Sequence, residues 1–204
     1  MDVIAGWAKL ENFLSHLFVR MLGVNPTPAA AIYAALKAEA ARDSALRTLA
    51  EFSLQPADEE VFSVLLELYD TAGKLRHKVA HWIWGHTDDI PDAVLLCDPR
   101  VYTKWLVERA EHIARYRVNE KVPPRLDREK ILVYTEQDFY EVTELILQIT
   151  LLMIRFDSHL LTGVKNTQPV ERARRFDELT NEPLIRERMA RLRAGRRRNQ
   201  EAQQ

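Results

Sequence analysis

A chain of 204 residues, 47% hydrophobic and 29% charged, can bury an apolar core of its own without disulfides or a structural metal. Its lone cysteine, Cys97, excludes an intramolecular disulfide and suits a reducing compartment. The net charge of −1 hides an asymmetry, because residues 165–204 hold 11 Lys/Arg against 6 Asp/Glu and the rest is acidic. Such a basic tail either contacts nucleic acid or an acidic partner, or is a solvated, partly helical end.

The first helix is expected from about Asp2 to Leu22. Val3, Trp7, Leu10, Leu14, Leu17 and Met21 recur at steps of four and three, which marks one buried stripe. Gly23 and Asn25-Pro26 end it. Thr27 is expected to cap a second helix with Pro28 at its first position. That helix is Ala-rich, has no Gly or Pro inside, and should run unbroken to about Phe52.

Pro56 marks a turn, and Asp58 is read as the cap of a third helix whose stripe is Val61, Leu65, Leu68, Ala72, Leu75 and Val79. Phe62, Leu66 and Tyr69 widen that stripe, and the helix should end near Gly85. Ala93–Cys97 and Ile131–Tyr134 read as short strands that can pair as a ribbon. Residues 102–118 read as helical, and Pro123-Pro124 as a loop. The last core helix is expected from Glu136 to Leu161, capped by Thr135 and stopped by Gly163. Arg155 and His159 on it read as a solvated face.

The fold class is therefore mostly α, a bundle of four to five helices with a possible two-stranded ribbon. Residues 1–164 form the folded domain, and residues 165–204 form a basic tail whose removal from 166 onward leaves the fold intact. The richest apolar run, Leu145 to Ile154, contains Gln148 and Thr150 and covers about half of a bilayer span. The N-terminus lacks an apolar signal segment. A cytoplasmic protein without membrane contact is expected.

No Gly-rich phosphate loop, GxSxG elbow or CxxC pair is present, and no cofactor is expected. Chemistry concentrates in Arg76-His77-Lys78-Val79-Ala80-His81 and the following Trp82, Trp84 and His86. With the core stripe centred on Val61, a turn of about 100° per residue puts His77 near 160°, His81 near 200° and Arg76 near 60°. Both histidines thus face away from the stripe, and Arg76 flanks it within reach of them. His77 and His81 share a helix face as two zinc ligands would, but the Glu of HExxH is absent and Lys78 repels a cation, so no bound metal is expected. Trp82 and Trp84 either stack on bases or are buried under the following loop.

Arg-polar-x-x-x-His near the end of a long helix, here Arg76, His77 and His81, resembles the hallmark of the HEPN superfamily. Trp7 and Glu11 resemble a common form of that family's first helix, and the likeness extends over about residues 1–162. Two features differ from the usual family pattern: His77 stands where Asn is commoner, and Trp82 follows the histidine where a small residue often does. The resemblance implies a dimeric, metal-independent endoribonuclease of toxin or defence type, with a cognate antitoxin or partner protein. In that picture the ribose 2′-OH attacks the adjacent phosphate, His81 moves the proton and Arg76 stabilises the transition state. His77 and Lys78 support the phosphate. The other expectation is a catalytically silent helical module that dimerises or holds a partner. Glu11, on the stripe's edge, is expected to be buried against Arg76 or to reach solvent.

Overall fold

The computed structural model describes residues 2–115, 122, 124–164 and 169–201. The chain is mostly α, with helices α1 (Asp2–Leu22), α2 (Pro26–Ala35), α3 (Glu39–Ser53), α4 (Pro56–His81), α5 (Pro99–Arg115), α6 (Glu136–Val164), α7 (Pro169–Thr180) and α8 (Pro183–Glu201). Strands β1 (Ile83–Gly85), β2 (Ala93–Cys97) and β3 (Ile131–Thr135) form one antiparallel sheet in the order β1-β2-β3. Contacts divide the chain into residues 1–4 with 72–145, and residues 5–71 with 146–204. The division does not fall at the expected boundary after residue 164.

In the larger unit the predicted stripe of α1 is buried from Trp7 to Met21. Trp7 stacks on Tyr69 with ring centroids 4.6 Å apart, and Phe62 stacks on Phe156 at 5.6 Å. Gly23 ends α1 at φ +66, a left-handed conformation that a residue with a Cβ adopts only at a cost. Asn25, rather than Thr27, caps α2: its side chain accepts the Thr27 N–H at 3.1 Å, with Pro26 at the first helical position.

The expected single helix from Thr27 to Phe52 is two helices. Tyr33 and Ala29 bury on α2, and Leu46 and Ala50 on α3. Tyr33 and Leu46 are separated by 13 residues, which an unbroken helix would set about 220° apart, on opposite sides. A break after Ala35 lets both apolar faces turn inward. Leu36 adopts extended backbone there, and its carbonyl accepts the Arg42 Nε–H at 2.7 Å. Arg42 also lies over the Tyr33 ring at 5.6 Å. Burial, with smaller opposing charge effects, pushes the Tyr33 phenol up to about 12.

Asp58 is not a cap. It lies inside the first turn of α4, is 4% exposed, and accepts from His159 Nε2 at 2.8 Å and Arg172 Nη2 at 2.7 Å. Burial would raise its carboxyl, but the His159 hydrogen bond and the His159 and Arg172 charges outweigh this and hold it below the usual carboxylate range. His159, expected on a solvated face, is 1% exposed, between the rings of Phe156 and Phe176.

The expected dispensable tail is packed structure. Leu179, Ile185 and Met189 are buried. Arg172 reaches Asp58, Arg193 grips Glu60 through two hydrogen bonds to Oε2 and one to Oε1, and Arg188 donates to Thr71. The tail's positive charge is thus partly spent on the acid of α4. The last core helix also runs past Gly163 to Val164. Measured over Glu136–Thr162, α6 is long and apolar enough to cross a bilayer by length and composition, contrary to the expectation drawn from its richest apolar run alone. It carries the buried His159 and the Asp157 that pairs with Arg20.

In the smaller unit β2 and β3 are the two predicted strands, paired from Ala93↔Thr135 to Cys97↔Ile131. β1 was not foreseen. It adds to β2 from Ile83↔Cys97 to Gly85↔Leu95, in the segment expected to continue the helix. Thr135 caps α6 as predicted, with Asp138 accepting its backbone N–H at 2.8 Å. The predicted end of α5 beyond Arg115, and Pro123, lie outside the described residues.

Candidate active site

The C-terminal turn of α4 sets up the site. The last carbonyls of a helix lack intrahelical partners. Here the Trp82 N–H takes the Lys78 carbonyl at 3.0 Å, and the Trp84 indole Nε1–H takes that of Val79 at 3.1 Å. The chain can therefore leave the helix at His81 and enter β1 with those groups satisfied.

On this turn Val79 is buried, while His77 and His81 are exposed, as their angular positions require. Arg76 is partly buried, and its Nη1 lies 3.3 Å from His81 Nε2. A guanidinium can only donate, so His81 Nε2 presents its lone pair in this contact. The His77 and His81 rings lie 4.9 Å apart between centroids. One open surface thus brings together a fixed cation and two imidazoles, the combination that acid–base work on a phosphate diester uses.

The neighbouring side chains are placed less uniformly. Lys78 turns to the Trp82 ring, its Nζ 5.6 Å from the centroid, so that face of Trp82 is occupied. Trp84 is half exposed and stacks on Phe139 at 5.6 Å, beside a cavity whose polar groups include Asp2 and Glu136. Those carboxylates would repel a phosphate backbone. Glu11 is not buried: its side chain is 40% exposed and its carboxylate lies 3.8 Å from Arg42 Nη1 on α3, so the partner expected in Arg76 is supplied by Arg42.

Sequence reading missed Asp98. It begins α5, where its side chain accepts the Arg100 backbone N–H at 2.8 Å and its carbonyl accepts from Tyr102 at 3.0 Å, the geometry of an N-cap before Pro99. Arg100 folds back on it through Nε at 3.2 Å and Nη2 at 2.8 Å. The hydrogen bonds from Arg100, with smaller help from the charge on His77, hold the Asp98 carboxyl below its usual range. Asp98 is therefore an electrostatic neighbour of His77. Its signal in the sequence is the Asp98-Pro99 pair, an N-cap residue followed by proline at the first helical position.

Among the described residues no group of three or more His, Cys, Asp or Glu side chains is placed to hold a metal ion. Cys97 is buried, and burial with the Asp98 charge pushes its thiol up, away from nucleophile behaviour. No protein-family model, curated protein or solved structure matches this chain.

Proposed function

We propose that the chain is a metal-independent endoribonuclease of the HEPN type, acting on RNA as a homodimer in a toxin or defence role. The observation that carries the reading is the 3.3 Å approach of Arg76 Nη1 to His81 Nε2 at an open surface. With RNA bound, the guanidinium turns from the imidazole to a phosphate oxygen, which frees the Nε2 lone pair. The ribose 2′-OH gives its proton to His81 as its oxygen bonds to phosphorus, and the bond from phosphorus to the 5′ oxygen breaks. Arg76 holds the charge gathering on the phosphorane oxygens. His77, when protonated, supplies the proton that the leaving 5′ oxygen takes. The products are a 2′,3′-cyclic phosphate and a 5′-OH end.

The test is cleavage of end-labelled RNA by EDTA-treated protein. The reading expects cyclic-phosphate ends, undiminished by chelation and lost in both His81→Ala and Arg76→Ala. Cleavage that persists in His81→Ala, or absence of cleavage by the folded protein on a panel of cellular RNAs, overturns it.

A second reading, a silent dimerisation or partner-binding module, is favoured by Leu147, Leu151 and Ile154. These recur along one face of α6 and are 51%, 47% and 39% exposed. A stable dimer without cleavage would select it.

A further inference from the structure

A cavity of about 620 Å³ lies beside Trp84, within the size range of small-ligand sites. Its wall is aromatic, with Trp84, Phe139 and Tyr140 facing it, and Ile4 adds an apolar edge. Trp84 is held in place, since its Nε1–H is committed to the Val79 carbonyl and it stacks on Phe139. Tyr140 is 62% exposed.

Asp2 and Glu136 line the cavity, and among the described residues no Lys or Arg does. A second hollow shares Glu136 and Phe139 with it and adds Asp92, Tyr134 and His86. Among the described residues neither Asp2 nor Glu136 forms an ion pair, although the chain is rich in arginines that pair elsewhere. Aromatic faces next to carboxylates that no basic side chain pairs favour cations over anions, even with the helix N-termini offsetting part of the negative charge. A compact ammonium is strongly hydrated and gains little from ring faces. A cation whose charge is spread over alkyl groups sheds its water cheaply and gains from both the rings and the carboxylates.

We infer that this cavity binds a small organic cation of the alkylated ammonium class. The inference stands independently of the nuclease reading, because it uses neither Arg76 nor the histidines. It also gives Trp84 a role other than base stacking.

The experiment uses the full chain, with choline as probe and its uncharged isostere 3,3-dimethyl-1-butanol as control, followed by calorimetry and ligand-observed NMR. Saturable binding of choline is expected, with none by the isostere. Glu136→Gln and Trp84→Leu should each weaken binding roughly tenfold. Should Trp84→Leu fail to fold, Asp2→Asn and Glu136→Gln, both at exposed first-turn positions, serve in its place. Equal binding of the isostere, absence of choline saturation, or affinity unchanged in the folded variants overturns the inference.

Discussion

Arg172 and Asp58, 114 residues apart in the chain, meet with Nη2 at 2.7 Å from Oδ2, and Asp58 is at the same time bonded to the buried His159. Helix α7 is thereby tied to the first turn of α4. Removing residues 166–204 would strip Asp58 of a cation and expose the partners of Leu179, Ile185 and Met189. Three buried apolar side chains at about 1.5–3 kcal/mol each put the loss at roughly 4.5–9 kcal/mol. Urea denaturation should show a large fall in midpoint for the truncated chain, and an unchanged midpoint would contradict the packing of α7 and α8.

The same carboxylate should leave a trace in acid. Its folded-state value is depressed, so its stabilisation is complete above the unfolded value near pH 4 and drains away as pH falls through the folded value. Asp58→Asn should cost about 3 kcal/mol at pH 7, where a buried partner of His159 and Arg172 loses its charge. The gap between wild type and variant should narrow as pH drops below about 4. A gap that stays constant from pH 7 to pH 3 would show that ionisation of Asp58 is not what stabilises this cluster.

Gly23 isolates a backbone effect. A Cβ added there meets nothing within 4 Å, yet φ is +66. Gly23→Ala should therefore cost about 1 kcal/mol through conformation alone, with Gly23→Asn closer to wild type. Thermal melts of the two variants compare the costs directly, and equal stability of Ala and Gly would rule out the left-handed stop of α1.

For the nuclease reading, charge and shape separate at position 76. Arg76→Lys keeps the cation but loses the planar fork, and cleavage should fall about a hundredfold with no change in melting temperature. Full activity in the lysine variant would mean that a point charge suffices, and that bidentate grip on the phosphate plays no part.

Hydrophobic periodicity made most of the helices legible, since a stripe such as Leu10, Leu14 and Leu17 reports one-sided burial directly. Ala93–Cys97 was legible because Pro91 and Pro99 bracket a short apolar run. The break between α2 and α3 was not, because local propensity favours helix throughout and the reason to bend lies in where Tyr33 and Leu46 must face. β1 was hidden behind a helical pattern that continues through Trp82 and Trp84. Asp58 imitates a cap by its place after Pro56, and nothing local reveals that its partners are His159 and Arg172. At the candidate site, angular position correctly placed His77, His81 and Arg76 relative to the core. The contacts of Glu11 and Asp98 depend on neighbouring elements and were out of reach.

The larger unit is discontinuous, assembled from residues 5–71 and 146–204 around an intervening segment. During synthesis at about 5–20 residues per second, Asp58 leaves the ribosome several seconds before Arg172 can meet it. Nascent α4 must wait with Asp58 hydrated rather than paired and its apolar surface uncovered until His159 and Arg172 emerge, which makes that interval the window for chaperone capture or misassembly.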